Sequence, residues 1–141
     1  MIGVSFELLN RYDYFIHKIL SNIINDTDNI LILSGEVFDK AGNFLFEDKV
    51  YSKSEFENIV SKKLHYIVFL SIAVYDKQAK LVKINSFDDY RKAKPKLFLS
   101  VCDSIFASCY SYDKSIIDKI RNNSLSNSFN NLSDETKFYC N

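Results

Sequence analysis

A strand–turn–strand–helix pattern runs three times along the chain, over about residues 30–63, 65–93 and 96–123. A strand over residues 2–6 and a helix over residues 9–25 precede these three units. Because a hairpin followed by a helix buries one sheet face under that helix, repeating the unit builds a mostly antiparallel sheet with its helices mainly on one face. The pattern therefore predicts the α+β class, with an N-terminal strand–helix unit followed by three strand–strand–helix units.

Local signals mark the element boundaries and one irregular segment. Ser52 and Glu55 have the spacing of a capping box, which predicts the start of a helix. In the second unit, residues 80–85 are expected to form a short return strand. Residues 122–135 are rich in Asn and Ser, a composition typical of loops. We therefore expect a single α+β domain over residues 1–141, in which 122–135 is a polar loop or frayed segment.

The composition indicates a folded protein with no general attraction for polyanions. Hydrophobic residues make up 47% of the 141 residues, which is enough to form a core. The 18 Lys and Arg residues are balanced by 18 Asp and Glu residues, so no net field attracts nucleic acid or an anionic membrane surface. The longest apolar run, Ile67–Val74, is too short to span a bilayer. We therefore expect no nucleic-acid partner and no membrane association.

The cysteines favour an intracellular location. Cys102, Cys109 and Cys140 are an odd number of thiols without the spacing of metal ligands. No charged stretch followed by a continuous apolar stretch, as in a secretory signal, precedes residue 20. Unpaired thiols without an export signal are typical of the reducing cytoplasm, so we expect a cytoplasmic protein.

The sequence contains no familiar catalytic or cofactor-binding motif. With three glycines in all, it has neither a G-x-G-x-x-G nor a Walker loop, and it has no G-x-S-x-G elbow. Two histidines, His17 and His65, are too few for a multi-histidine metal site. We therefore expect no cofactor and no metal, and the enzyme question stays open but leans towards no. The alternative is a pocket between the sheet and the helices, containing His65 or Cys102, for a small ligand or a minor enzymatic activity.

The strongest predicted strand, residues 65–76, is apolar on both faces and is therefore expected to lie centrally, covered on both sides. If the helices cover one side, the other side needs a second cover. Tyr and Phe are enriched in the cores of protein interfaces, so an aromatic open face predicts an interaction surface. The residues expected on it are Ile67, Phe69, Tyr75, Phe44, Phe46, Tyr110 and Tyr112.

This surface leads to the main functional hypothesis from the sequence. We expect a non-enzymatic protein-interaction or regulatory module, of the general kind that includes immunity and inhibitor proteins. Its partner is another protein or a second copy of the chain.

The sequence also has one family resemblance, which adds no activity. The opening Gly3-Val4-Ser5-Phe6-Glu7, followed by Asn10, Tyr12 and an amphipathic helix, resembles a small bacterial family known as domain of unknown function 2691. The later stretch Val50–Ile59 is similar as well. The resemblance implies a stand-alone cytosolic protein of low-GC Gram-positive bacteria, and it transfers no site residue.

Overall fold

The computed structural model describes residues 3–140. Four helices are α1 (Phe15–Leu20), α2 (Lys53–Val60), α3 (Phe87–Ala93) and α4 (Lys114–Ser126). The strands are β1 (Gly3–Glu7), β2 (Asn29–Asp39), β3 (Val50–Ser52), β4 (His65–Tyr75), β5 (Leu97–Cys102), β6 (Phe106–Tyr110) and β7 (Asn130–Asp134). These seven strands form one sheet in the order β3-β2-β4-β5-β6-β1-β7, and each neighbouring pair is antiparallel.

Three of the helices pack on one face of this sheet. Phe15 of α1, Phe56 of α2 and Ile117 of α4 lie in one cluster with Val4 and Phe6 of β1, which we call the helix-side core. The remaining helix, α3, packs on the opposite face, which we call the second face, through the buried Tyr90. The predicted α+β class, with an antiparallel sheet and helices mainly on one side, is confirmed. No helix within residues 3–140 has the length and apolar character needed to cross a membrane.

The predicted capping box at the start of α2 is confirmed. The Ser52 hydroxyl accepts a hydrogen bond from the Glu55 amide at 3.2 Å, and the Ser52 amide donates to Glu55 Oε1 at 3.1 Å. Two amides that the helix leaves without a partner are thereby satisfied, which fixes where α2 begins.

The first helix is much shorter than predicted. Residues 9–25 were expected to be helical from their apolar spacing, but α1 covers only Phe15–Leu20. Asp13 forms an isolated antiparallel bridge with His65, and their backbone N–H···O bonds measure 3.1 and 3.0 Å. The chain before this bridge bends at residues 10 and 11, where the Arg11 amide donates to the Leu9 carbonyl at 2.9 Å, and Asn22 has a positive φ of 64° that is incompatible with a continuing helix. Tertiary pairing therefore overrides the helical pattern before α1, and the left-handed conformation of Asn22 prevents its continuation after α1.

The second unit lacks its predicted return strand. Residues 80–85 form a loop rather than a strand, so α3 is the next regular element after β4. The loop is nevertheless anchored, since the Tyr75 hydroxyl donates to the Val82 carbonyl at 2.7 Å and Ile84 is buried. Ile84 therefore covers the second face of the sheet instead of extending its edge, whereas Leu81 is 38% exposed.

Residues 122–135 are structured, contrary to the predicted polar loop. Helix α4 continues to Ser126, and β7 pairs with β1. The Asn123 side chain donates to the carbonyls of Ile19 and Ser21, both at 2.9 Å, and the Phe129 ring stacks on Phe6. The polar residues of this segment bond to the chain itself rather than only to solvent, which explains the difference.

Candidate functional site

The structure does not bring the seven residues of the expected interaction surface together. Ile67 and Phe46 belong to the helix-side core, with exposed fractions of 2% and 8%. Tyr75 and Tyr110 are buried on the second face. The other three, Phe69, Phe44 and Tyr112, are outside both buried clusters.

A bulge in β4 separates Ile67 from Tyr75. Along the pairing of β2 with β4, Glu36 lies opposite Phe69, whereas the next residue, Val37, lies opposite Ile67. Val68 is therefore an extra residue on β4, and it reverses the alternation of side chains between the two faces. This is the physical reason why the strict two-residue period predicts the wrong face for Ile67.

The second face was predicted to need a cover, and the chain itself provides it. Phe138, near the C-terminus, lies among three aromatic rings of this face. Its ring centroid is 4.8 Å from that of Tyr110, 5.1 Å from that of Tyr90 and 5.2 Å from that of Phe98. Residues 135–140, which we call the tail, therefore share the cover with α3.

The Tyr110 hydroxyl fastens the tail. It donates to the Lys137 carbonyl at 2.8 Å and accepts from the Tyr139 amide at 2.9 Å. Burial raises the pKa of Tyr110 to about 12, so the hydroxyl keeps its proton and its donor role at neutral pH. A further backbone bond, from the Glu135 amide to the Gly3 carbonyl at 2.9 Å, holds the start of the tail against β1.

Beside the tail, one serine from each of six adjacent strands lies in a single line across the sheet. Each serine is the direct register partner of the next. From β2 to β7 this serine row consists of Ser34, Ser71, Ser100, Ser108, Ser5 and Ser133. Register partners share a face, so the row places six hydroxyl groups on the second face.

Part of the serine row lines a groove of about 450 Å³. Four of its members, those on β5, β6, β1 and β7, line the groove. On β6, Ser108 stands between Phe106 and Tyr110, and all three point to the same face. Phe106 therefore flanks the row on one side. The tail, which includes Tyr139, flanks it on the other side. Phe106 and Tyr139 both line the groove and are 52% and 49% exposed.

The charged side chains that line the groove are both acidic. They are Glu7 on β1 and Glu135 at the start of the tail. Glu7 accepts a hydrogen bond from the Asn131 side chain, and Glu135 accepts from the Lys137 amide at 2.9 Å. Among the described residues, neither carboxylate has an ion-pair partner, and no Lys, Arg or His lines the groove.

Of the two residues predicted for an alternative pocket, the structure places only Cys102 in the groove. Burial, and secondarily the neighbouring Asp103 carboxylate, raise the pKa of the Cys102 thiol. A raised pKa keeps the sulfur protonated and weakens it as a nucleophile.

His65 lies away from the groove and has a structural role. It is fully buried, its Nε2 accepts from the Ile16 amide at 3.2 Å, and its Nδ1 donates to the Lys63 carbonyl at 2.8 Å. It thereby satisfies an amide in the first turn of α1, and burial lowers the pKa of its ring. Within residues 3–140, no three His, Cys, Asp or Glu side chains are grouped closely enough to hold a metal ion.

Sequence reasoning missed the serine row. The available signal was a single serine near the middle of most strands, as in Leu70-Ser71-Ile72 and Leu99-Ser100-Val101. Such serines become a site only through the strand register, and the register depends on the two irregularities between β2 and β4.

The comparisons with known proteins give one family and one uncharacterized relative. The model of the family described as Protein of unknown function (DUF2691) matches residues 1–137. The chain is also 25% identical over 138 residues to the uncharacterized protein YncE of Bacillus subtilis (strain 168), covering 92% of this chain and 88% of that protein. No solved structure matches the chain significantly. The match confirms the resemblance inferred from the opening residues, which form β1 and supply Ser5 and Glu7 to the groove. The chain therefore belongs to the DUF2691 family.

Proposed function

We propose that this protein is a non-enzymatic binding module that holds a small ligand in the groove over the serine row. The observation that carries the proposal is the alignment of serines across six strands, four of which line one groove. Small side chains in one row, between larger ones on either side, leave a trough that a ligand can fill. The volume of about 450 Å³ is within the range of small-molecule sites.

The energetic cost of the serine row supports a role beyond folding. Ser100 and Ser108, which line the groove, are 3% and 7% exposed, in strands whose other face is apolar. Burying a hydroxyl in place of an apolar side chain gives up hydrophobic stabilisation and needs compensating hydrogen bonds. Polar groups held at such positions are typical of binding sites, where function outweighs stability.

A ligand-binding role fits the groove better than catalysis. Cys102 is the one thiol among the groove-lining residues, and its raised pKa opposes nucleophilic attack. His17 and His65 lie outside the groove, so neither imidazole is placed to act as a general base there. A cytoplasmic location accords with the three cysteines, which form no disulfide.

A screen of a small-molecule fragment library by two-dimensional ¹H–¹⁵N NMR tests this proposal. We expect fragments that shift the amide resonances of Ser100, Ser108 and Ser5 together. Ser100→Leu fills the groove and should abolish these shifts. Since Ser100 is buried, Phe106→Ala provides a second variant at an exposed position, and it should weaken binding without unfolding the protein. The proposal fails if no fragment perturbs the groove, or if the hits map to another surface.

A protein partner is the second candidate, favoured by an exposed aromatic corner beside α3. Tyr112 is 44% exposed and stacks on the buried Tyr90, and Phe87 is 42% exposed and contacts the same ring. The Lys94 ammonium lies 5.4 Å from the centre of the Tyr112 ring. Exposed aromatic side chains beside a cation are typical anchors of a protein interface, and a regulatory or inhibitor-like role would use them.

Light scattering with size-exclusion chromatography tests the self-association form of this candidate. A dimer of the wild type that becomes monomeric in the double variant Phe87→Ser/Tyr112→Ser would support it. Leu125→Ser is the matched control, because Leu125 is 66% exposed on α4, on the other side of the sheet. A wild-type monomer excludes self-association through this corner.

A further inference from the structure

We propose that the ligand of the groove is a linear polyamine, bound extended along the serine row. The inference rests on the proposed binding function and adds the chemical class of the ligand. Three features of the groove select this class: its length, its charge and the exposed rings at its sides.

The length follows from the geometry of a sheet. Neighbouring strands lie about 4.8 Å apart, so the four groove-lining serines on β5, β6, β1 and β7 span roughly 14 Å. A volume of about 450 Å³ is enough to hold one extended chain along this distance. The ligand that matches it is long and thin, with polar groups at intervals close to the strand spacing.

The charge of the groove favours a cation. Glu7 and Glu135 line it, and neither has an ion-pair partner among residues 3–140. Two such carboxylates in a partly enclosed groove repel phosphates and carboxylates and attract ammonium groups. Serine hydroxyls accept hydrogen bonds from ammonium donors, so the serines and the two carboxylates favour the same kind of ligand, an ammonium compound.

The aromatic rings at the sides complete the match. Phe106 and Tyr139 stand on opposite sides of the serine row with about half of each side chain exposed. Their rings can cover the methylene segments of a polyamine and attract its ammonium groups through their faces. A linear polyamine alternates ammonium groups with short methylene segments, so it presents charge and hydrogen-bond donors to the carboxylates and serines, and apolar surface to the rings.

The test is titration with spermidine, followed by ¹H–¹⁵N NMR and isothermal calorimetry. We expect saturable shifts of the Ser5, Ser100 and Ser108 amides, and weaker binding of the shorter diamine putrescine. Triethylene glycol, a neutral chain, and glutarate, a dianion, should not bind. Equal binding of triethylene glycol would overturn the assignment of a cation.

Charge-matched variants separate the groove from general electrostatic attraction. Glu7→Gln/Glu135→Gln should weaken spermidine binding at least tenfold. Asp48→Asn/Asp118→Asn removes the same charge at exposed positions outside the groove and should leave the affinity within about twofold. Equal effects of the two double variants would overturn the proposal.

The fragment screen distinguishes failure of this inference from failure of the binding function. If fragments bind in the groove and spermidine does not, the polyamine assignment is wrong and the binding function stands. If neither binds there, both are wrong.

Discussion

The ring of Tyr110 lies directly against the backbone of Gly3, its register partner on the neighbouring strand. A Cβ atom at position 3 would stand 2.8 Å from Tyr110 Cδ1 and 3.1 Å from the carbonyl oxygen of Glu135. The ring cannot retreat, because its hydroxyl fastens the tail. We expect Gly3→Ala to lower the free energy of unfolding by about 1–3 kcal/mol, the usual cost of overpacking, as measured by urea denaturation.

Gly35→Ala is the matched control for this substitution. Gly35 also lies in a strand, but the nearest atom to a new Cβ there is Ile32 Cγ2 at 3.3 Å, on a side chain that can adjust. Replacing a strand glycine by alanine is otherwise favourable by roughly 0.5–1 kcal/mol, so the change should be small or stabilising. Equal losses at the two positions would contradict the close approach of Tyr110.

The sequence predicts the order of the elements because hairpin and helix signals are local. The capping box of Ser52 and Glu55 needs only residues within one turn, and it is confirmed. Helix α1 is shorter than its apolar spacing suggests, because the Asp13–His65 bridge joins residues far apart in sequence. Local patterns cannot report such a pairing.

The candidate site was harder to predict for the same reason. The face on which Ile67 lies depends on the extra residue Val68, and a bulge is defined only by the partner strand. The serines were visible in sequence, but their alignment requires the register of six strands. Cys102 lines the groove, but this groove is on the second face and no helix residue lines it, whereas the pocket was expected between the sheet and the helices.

Phe138 should hold the tail in place. Its ring contacts Tyr90, Phe98 and Tyr110, and the side chain is partly buried. We expect Phe138→Ala to lower the free energy of unfolding by about 2–3 kcal/mol, somewhat less than for a fully buried ring. Thermal or urea denaturation measures the loss, and hydrogen exchange at the Tyr139 amide should accelerate, because that amide bonds to Tyr110.

Tyr139→Ala is the control for the tail. Tyr139 is adjacent in sequence, but its side chain is 49% exposed at the side of the groove. Its removal should change the unfolding free energy by no more than about 0.5 kcal/mol, the usual range at the surface. A loss as large as that of Phe138→Ala would mean that the tail is held by other contacts.

Tyr90 and Tyr110 provide a paired test of their hydroxyl groups. The Tyr90 hydroxyl is buried without a hydrogen-bond partner in residues 3–140, whereas that of Tyr110 makes two hydrogen bonds to the tail. We expect Tyr90→Phe to leave stability unchanged or raise it by about 1 kcal/mol, because an unsatisfied buried polar group is removed. Tyr110→Phe should lower it by about 1–2 kcal/mol, because the Lys137 carbonyl and the Tyr139 amide lose their partner. Urea denaturation of both variants is the measurement, and equal losses would contradict the difference.

His65 should make the protein less stable as the solution becomes mildly acidic. Burial lowers the pKa of its ring, so the folded protein resists a proton that the unfolded chain accepts near its ordinary value of 6.5. The unfolded state then binds more protons over the interval between the two pKa values. The unfolding free energy should therefore fall as the pH decreases from about 6.5 towards the lowered pKa, and level off below it.

His65→Gln isolates this contribution. At pH 7.5 the variant should be less stable by about 1–3 kcal/mol, because an amide side chain cannot both accept from Ile16 and donate to Lys63 with the spacing of an imidazole. Its stability should also depend less on pH between 7.5 and 5.5, so the difference from the wild type narrows with acidity. The carbon and proton shifts of the His65 ring provide a direct measurement, and they should titrate with a midpoint below 6.5. A ring that titrates near 6.5 in the folded protein would contradict the burial of its neutral form.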